Sequence, residues 1–356
     1  MTWRRLTALV AIFMAFSGSL SGALAGKVRT FTQVRCVDTI RAGDALLGGL
    51  HAGALPPRVF LMRCDGLWLR WQGGRLNAIT GRYIPKFRAR NKPFAIPDAR
   101  VTIGGRDIAD AWLTRPTRRY DHAVLGDDIE AGGLAARTQR KLRVEHLLPE
   151  TEVFEDRMAR LVDLNGDGRD EIVVVQTHVN RGAALAIYGL LPGKEAPRLA
   201  LLAKSPYLGG KYRWLNPAAA GDFDGDGQTE IAWVEMPHVK GVLKVARLER
   251  HGGRHVLREL GSLAGFSNHR KGSRELQEAV SFDWDGDGRA DIILPDLERK
   301  RLMVAGWRDG ALRVIDSMDI GGEIDSPIVA ADLDQDGRGE ALLVTKDARL
   351  LIFSAR

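Results

Sequence analysis

The chain has 356 residues, and its 45% hydrophobic and 27% charged residues are typical of a globular protein rather than a disordered or collagen-like one. Two cysteines are too few to make a disulfide scaffold of a chain this long, and the composition excludes a membrane protein with several spans. The length predicts either two domains or one large repetitive β architecture.

The N-terminal segment predicts export. Arg4 and Arg5 precede an uncharged stretch that ends in Ala23-Leu24-Ala25, the small-x-small pattern that signal peptidase recognises. We therefore expect residues 1–25 to be a signal peptide and residues 26–356 to be a periplasmic or secreted domain with no membrane span. A single membrane anchor is the alternative, but the second half of the stretch is polar.

Export also bears on the two cysteines. Cys36 and Cys64 would reach an oxidising compartment, where two thiols of one chain tend to pair. We expect a Cys36–Cys64 disulfide, and two buried free thiols are the alternative.

Four acidic loops share one pattern of acids and glycines, and their starts are 59, 61 and 49 residues apart. We number them loop 1 (residues 163–171), loop 2 (222–230), loop 3 (283–291) and loop 4 (332–340). The spacing lies in the range of propeller blades and solenoid units. Runs of β-branched and apolar residues precede and follow each loop, as with Ala218–Phe223 and Glu230–Val234 around loop 2. Each unit therefore resembles a four-stranded propeller blade.

The loop pattern suits a calcium ion. Oxygen ligands at positions 1, 3, 5 and 9, a backbone carbonyl at position 7 and a glycine at position 6 suit a hard cation that takes six to eight oxygens, which favours calcium over magnesium. A helix-loop-helix calcium site is excluded, because position 12 is apolar in every loop. The predicted ligands are Asp163, Asn165, Asp167, Arg169 and Glu171; Asp222, Asp224, Asp226, Gln228 and Glu230; Asp283, Asp285, Asp287, Arg289 and Asp291; and Asp332, Asp334, Asp336, Arg338 and Glu340.

These loops resemble the FG-GAP/VCBS repeats of integrin α-subunit propellers and of many exported bacterial proteins. The resemblance covers residues 157–356, and Gln335 is a departure from the usual glycine at position 4. It implies that each loop joins the first and second strands of a blade and binds calcium, giving up to four structural ions. Upstream, Asp121-His-Ala-Val-Leu-Gly-Asp127 and Val153-Phe-Glu-Asp156 resemble a widespread group of exported bacterial proteins that carry such repeats.

We therefore predict an all-β fold, a single β-propeller of four-stranded blades in which residues 26–156 form degenerate blades. The last unit has only three strands, so Val28–Val37 is expected to supply the fourth and close the ring. Six blades are favoured and seven are the alternative. Among the strands predicted in the degenerate part are Val59–Arg63, Leu67–Trp71, Val101–Ile103 and Ala123–Gly126.

The face opposite the acidic loops is the expected ligand-binding surface, because long loops on a rigid scaffold often carry function. The residues predicted there are His178, Arg181, Arg213, Trp214, His238, Lys240, Asn268, His269, Arg274 and Glu275. A catalytic alternative pairs His269 with Glu275 as general acid and base, aided by Arg274. His251 and His255 are expected to be solvated residues of a hairpin rather than metal ligands.

The formal net charge of +7 favours anionic partners. Nucleic acid is not expected, because the chain is exported and has no motif of interleaved aromatic and basic residues. We therefore expect a non-enzymatic binding module for an anionic envelope glycan or a protein partner. The alternatives are a carbohydrate-active lyase or hydrolase acting on an acidic polysaccharide, and a structural module of an envelope complex. The oligomeric state is left open.

Overall fold

A computed structural model of the protein describes residues 26–31, 37–42, 59–63, 68–72, 75–78, 92–194 and 196–355. Within these ranges every regular element is a β-strand, so the all-β prediction is confirmed. No helix among the described residues has the length and hydropathy needed to cross a lipid bilayer. The expected signal peptide and both Cys36 and Cys64 lie outside the described residues, so leader cleavage and the disulfide stay predictions.

The C-terminal half forms three four-stranded antiparallel sheets that follow one another along the chain. The first contains β15 (Leu215–Gly221), β16 (Glu230–Glu235), β17 (Val242–His251) and β18 (Arg254–Ala264). The second contains β19 (Val280–Phe282), β20 (Asp291–Pro295), β21 (Arg301–Arg308) and β22 (Ala311–Asp319). The third contains β23 (Val329–Ala331), β24 (Glu340–Val344) and β25 (Leu350–Ser354). In each sheet the strands are ordered as they occur in the chain, as the predicted blade requires.

The third of these sheets takes its fourth strand from the other end of the chain. Strand β1 (Lys27–Phe31) pairs antiparallel with β25, so that Lys27 lies opposite Ser354 and Phe31 lies opposite Leu350. The predicted pairing of the N-terminal segment with the last unit is therefore observed. A further sheet near the N-terminus contains β2 (Val37–Ala42), β3 (Val59–Arg63), β4 (Trp68–Gln72) and β5 (Arg75–Ala78).

Between these parts, nine strands form one continuous sheet. They are β6 (Thr102–Ile103), β7 (Ile108–Thr117), β8 (Glu130–Thr138), β9 (Arg143–Leu147), β10 (Glu152–Phe154), β11 (Arg160–Val162), β12 (Glu171–His178), β13 (Gly182–Leu191) and β14 (Arg198–Lys204). The short strand β10 joins two groups of four, because Val153 pairs with Thr177 of β12 and Phe154 also pairs with Ala131 of β8. The groups on either side are β6–β9 and β11–β14.

One strand prediction in this region is wrong. Residues 123–126 form part of the turn between β7 and β8 rather than a strand, and Ala123 and Gly126 have φ angles of 51° and 97°, which extended backbone does not adopt. The strand lies instead at Ile108–Thr117. Its buried Asp110 interrupts the apolar pattern, and this carboxylate is paired with Lys92 at 2.7 Å and with Arg137.

The hydrophobic cores lie between neighbouring sheets. On β12, Ile172 and Val174 pack with residues of β7 and β8, whereas Val173 and Val175 pack with residues of β16 and β17. On β20, Ile292 faces the core shared with β16 and β17, and Ile293 faces the core shared with β24 and β25. Because successive side chains of a strand point to opposite faces, the central strands are buried on both sides. This arrangement stacks the sheets face to face in chain order, and β15 contacts β19, which contacts β23, which contacts β2.

Candidate functional site

The four acidic loops join the first and second strands of their groups, as predicted. In every loop the carboxylate at position 9 accepts a hydrogen bond from the backbone N–H at position 2. The donors are Leu164, Phe223, Trp284 and Leu333, and the acceptors are Glu171, Glu230, Asp291 and Glu340, at 2.8–3.0 Å. Gln335 has a φ of 61°, close to the positive φ of its counterparts Gly166, Gly225 and Gly286. The position-9 acids therefore fix the turn, and Gln335 does not alter it.

Three loops bring carboxylates close enough together to hold a metal ion. The groups are Asp222, Asp224 and Glu230; Asp283, Asp285 and Asp291; and Asp332, Asp334 and Asp336, with potential ligand atoms within 4.8 Å of one another. Loop 1 does not form such a group among the described residues. Its Asn165 donates a side-chain hydrogen bond to Glu171 at 2.8 Å. The spacing of these carboxylates taken alone would allow a cation in loops 2, 3 and 4.

Burial of the position-9 acids shapes the electrostatics of the loops. Burial is the main cause that raises the pKa of Glu171, Asp291 and Glu340 to about 7 each, and neighbouring acids raise it further. In loop 3 the Oδ1 atom of Asp291 is buried and has no hydrogen-bond partner, and the same is true of Asp332 Oδ1 in loop 4. An oxygen in this state is suited to coordinate a hard cation, so these two loops fit calcium.

On the opposite face, three of the predicted residues come together. The rings of Trp214 and His238 are stacked, with an interplanar angle of 6° and centroids 6.0 Å apart. His238 Nε2 lies 2.9 Å from Nδ1 of the fully buried His269, and the Trp214 and His269 rings are 4.8 Å apart. Burial lowers the pKa of His238 to about 4 and that of His269 to about 3. Both imidazoles are therefore neutral at pH 7.

A pair formed by His122 and Glu155, which the sequence did not predict as a site, lies beside Trp214, His238 and His269. His122 Nδ1 is 2.5 Å from Oε1 of Glu155, whose side chain is fully buried. The other oxygen of Glu155 accepts a hydrogen bond from the Thr177 hydroxyl at 2.7 Å. Burial raises the pKa of Glu155, and the nearby His122 opposes this effect. Both residues lie in the upstream segments that resemble exported repeat proteins. That resemblance was the feature of the sequence that could have indicated them.

Trp214 connects the His122–Glu155 pair with the His238–His269 pair. Its indole N–H donates to the backbone carbonyl of Glu155 at 3.1 Å, while its ring stacks on His238. Tyr212 lies at the surface of this network, 42% exposed, with its ring centroid 5.1 Å from that of His122. The Tyr212 hydroxyl donates to Asp121 Oδ1 at 2.6 Å. We call His122, Glu155, Tyr212, Trp214, His238 and His269 the histidine cluster.

Lys211 places a positive charge beside the exposed part of this cluster. Its ammonium nitrogen lies 4.4 Å from the Tyr212 ring centroid and 3.4 Å from Asp121 Oδ1. The exposed edge of the histidine cluster therefore combines a partly exposed phenol with a cation. The imidazole of His122, 12% exposed, lies next to them.

The pairing of His269 with Glu275, which the catalytic alternative requires, is not formed. Glu275 Oε1 accepts hydrogen bonds from the backbone N–H groups of Leu276 and Gln277, each at 2.9 Å, whereas His269 is bonded to His238 and to the carbonyl of Ser273. Arg274 forms an ion pair with Asp127 at 2.9 Å rather than joining the histidines. The loop sequence brings these residues near in the chain, but the turn gives each a different partner.

The remaining predicted residues have other surroundings. Arg181 stacks on the Tyr207 ring at 4.4 Å, and His178 meets the edge of the same ring at 5.7 Å. Asn268 is fully buried and donates to the backbone of Asn216 and Pro217, which is a structural role. Arg213 donates to the carbonyl of Leu208, and Lys240 is exposed. His251 and His255 lie on the β17–β18 hairpin, as expected.

Comparison with known proteins identifies the repeat. Residues 163–233 match the family model of the FG-GAP-like repeat, which confirms the resemblance in loops 1 and 2. No curated protein matches the sequence.

Solved structures of rhamnogalacturonan lyases are similar at low identity. The exotype lyase YesX is 14% identical with a TM-score of 0.38, over 81% of this chain and 53% of that one. A lyase of Bacillus licheniformis is 14% identical with a TM-score of 0.41, over 81% and 55%. The lyase YesW is 12% identical with a TM-score of 0.40, over 90% and 60%. The chain thus spans 53–60% of the length of these lyases.

These comparisons correct one expectation. The matched structures described above are those of enzymes, whereas the sequence predicted a non-enzymatic binding module, and that prediction is withdrawn.

Proposed function

We propose that this FG-GAP repeat-containing protein is an exported β-propeller that acts as a lyase on an acidic polysaccharide. The observation that carries the proposal is the pairing of His122 with the buried Glu155 beside the exposed Tyr212. An imidazole oriented by a buried carboxylate and placed next to a phenol supplies a base and an acid in one place.

The proposed scaffold is a ring of six blades. The blades are β2–β5, β6–β9, β11–β14, β15–β18, β19–β22, and β23–β25 completed by β1. Contacts between the first strands of neighbouring groups, such as β6 with β11 and β15 with β19, support a radial arrangement. Calcium ions in loops 3 and 4 would be structural, because their carboxylates repel one another without a cation. Those loops lie at the opposite end of the strands from the histidine cluster.

The proposed reaction is a β-elimination at a uronic acid residue. When Glu155 is ionised it accepts the Nδ1 proton of His122, and Nε2 is left as the base. His122 removes the proton from the carbon next to the carboxyl group, and the C–H electrons form a carbon–carbon double bond. The bond from the adjacent carbon to the glycosidic oxygen breaks, and Tyr212 donates its proton to that oxygen. Lys211 neutralises the substrate carboxylate, which makes the carbon acid stronger.

The burial of the carboxyl groups near His122 favours elimination over hydrolysis. Most glycoside hydrolases need two carboxyl groups that reach the scissile bond. Here Glu155 is fully buried and Glu130 is 2% exposed. Burial and the nearby Glu155 raise the pKa of Glu130 well above its ordinary value. The exposed Asp121 is bonded to Tyr212 and Lys211.

The test is turnover on a panel of uronic acid polymers with calcium present. Elimination is followed by the ultraviolet absorbance of the unsaturated product, and total cleavage by new reducing ends. The variant is His122→Gln, and the control is His251→Gln on the exposed β17–β18 hairpin. We expect His122→Gln to lose activity by roughly 100-fold or more, and His251→Gln to match the wild type. Failure of the wild type to cleave any polymer, or new reducing ends without unsaturated product, would contradict the proposal.

A further inference from the structure

Loop 2 contains an arginine side chain among its acids. The Arg247 side chain is only 7% exposed, and its Nη1 lies 2.7 Å from Asp226 Oδ2 while its Nη2 lies 2.8 Å from Asp224 Oδ2. Nε and Nη2 both donate to Glu230 Oε1, at 2.8 and 2.6 Å. One guanidinium therefore contacts three of the four acids predicted to bind calcium in this loop.

The strand register places Arg247 there. Arg247 of β17 lies directly opposite Glu230 of β16 in the antiparallel ladder. The planar guanidinium has five N–H donors in a fixed fork, a shape that matches carboxylate oxygens. Arg247 is nearly buried and projects from a paired strand. The sheet therefore fixes its position, unlike that of a mobile side chain at the surface.

The hydrogen bonds of loop 2 leave no free carboxylate oxygen. Asp222 accepts from Gly225, Asp226 and Gly227, and the remaining oxygens that Arg247 does not reach accept from backbone N–H groups within the loop. The residues therefore do not fit a calcium ion unless Arg247 is displaced. A displaced guanidinium would lose its partners at a buried position, which is costly.

In loop 3 an arginine, Arg308, closely contacts fewer of the loop carboxylates than Arg247 does in loop 2. Arg308 contacts Asp285, and Asp287 at 3.0 Å, but its nearest nitrogen is 3.7 Å from Asp291 Oδ1, which has no hydrogen-bond partner. Arg308 is 24% exposed, so it can move into solvent when an ion binds. In loop 4 the Oδ1 atom of Asp332 is likewise buried and has no hydrogen-bond partner.

We infer that the Arg247 guanidinium takes the place of the calcium ion in loop 2, so that loops 3 and 4 bind calcium and loop 2 does not. The repeat motif of loop 2 is intact, yet the third strand of the same sheet supplies its cation. The inference is independent of the proposed lyase activity, because ions are counted without a substrate.

The experiment counts calcium ions bound to the full mature chain, by isothermal titration calorimetry and by native mass spectrometry. The variant Arg247→Gln removes the guanidinium. The matched control is Arg258→Gln on the neighbouring strand β18, where Arg258 is 52% exposed and pairs with Glu249. Circular dichroism in saturating calcium verifies that each variant is folded. We expect Arg247→Gln to bind one more ion than the wild type, and Arg258→Gln to bind the same number as the wild type.

Two further variants distinguish the contributions of individual loops. Asp224→Asn in the wild-type background should leave the number of ions unchanged, whereas Asp332→Asn should reduce it by one. An equal count in folded Arg247→Gln and wild type, or loss of an ion in Asp224→Asn, would overturn the inference. If the wild type bound no calcium while Arg247→Gln bound one ion, the role of Arg247 would be supported and the proposed calcium sites in loops 3 and 4 would be refuted.

Discussion

His238 Nε2 lies 2.9 Å from His269 Nδ1 in the interior of the face opposite the acidic loops. His269 Nε2 lies 3.0 Å from the carbonyl oxygen of Ser273, which can only accept a hydrogen bond. His269 therefore carries its proton on Nε2, and its Nδ1 accepts the proton of His238. Protonation of His269 at Nδ1 would remove the acceptor of this hydrogen bond and would place a charge on a buried ring.

We predict that this pair lowers the stability of the protein below pH 6.5. The pKa of His269 falls from an ordinary value of 6.5 to about 3 in the folded state, so the unfolded state binds more protons between these values. The contribution of His269 to the free energy of unfolding is thus complete above pH 6.5 and decreases as the pH falls toward 3. At pH 5 the expected loss is about 2 kcal/mol from His269, and His238, whose pKa is lowered to about 4, adds to it.

Urea unfolding at pH 7.5 and pH 5 measures this loss. The double variant His238→Gln, His269→Gln removes both titrating groups, so the difference between its pH dependence and that of the wild type isolates the histidines. His251→Gln on the exposed hairpin is the control. Equal pH dependence in the double variant and the wild type would show that the pair does not determine acid sensitivity.

We predict that Glu155→Gln lowers activity and changes its pH profile. The amide preserves the shape of the side chain but has no negative charge, so it cannot stabilise the imidazolium that forms when His122 takes a proton. A loss in kcat of roughly 10- to 100-fold is expected. Because Glu155 acts through His122 and does not contact the substrate, KM should change little.

The control for this variant is Glu150→Gln, whose side chain is 91% exposed. The measurement is kcat and KM from pH 5 to 9 on whichever polymer the wild type cleaves. A merely structural role would lower the amount of active protein without moving the pH profile. An unchanged pH profile in folded Glu155→Gln would therefore contradict the proposal that Glu155 positions His122 and stabilises its imidazolium form.

We predict that chelation of calcium lowers the melting temperature. Loops 3 and 4 each contain a buried carboxylate oxygen without a hydrogen-bond partner, on Asp291 and Asp332. An ion at 100 times its dissociation constant stabilises the folded state by about 2.7 kcal/mol, which corresponds to roughly 5 °C in a protein of this size. Magnesium should not substitute, because it requires a smaller octahedral site.

Differential scanning fluorimetry with and without a calcium chelator measures the effect. The variant Asp332→Asn should melt lower than the wild type in calcium and should respond less to the chelator. The variant Asp309→Asn, at an 88% exposed turn, is the control. A melting curve that thorough chelation leaves unchanged would refute a structural role for calcium.

The acidic loops were predictable because their geometry is local. An aspartate whose oxygens accept backbone N–H groups three and five residues ahead, as Asp163 does with Gly166 and Gly168, needs nothing outside its own loop. The strands that flank each loop follow from apolar runs that are contiguous in the chain. The period of the repeats also indicated that the last unit lacks a strand, which β1 supplies by pairing with β25.

The contacts of the histidine cluster and of loop 2 depend on the tertiary structure. His122 and Glu155 are 33 positions apart, and nothing in the spacing of either segment indicates that the other lies beside it. Arg247 enters loop 2 only because antiparallel register sets β17 against β16 with Glu230 as its partner. The amino-acid sequence by itself determined the acidic turns, because each is built from consecutive residues. Only the packing of distant segments decided which cation each turn receives and which carboxylate orients a histidine, since both contacts require the sheets to be assembled.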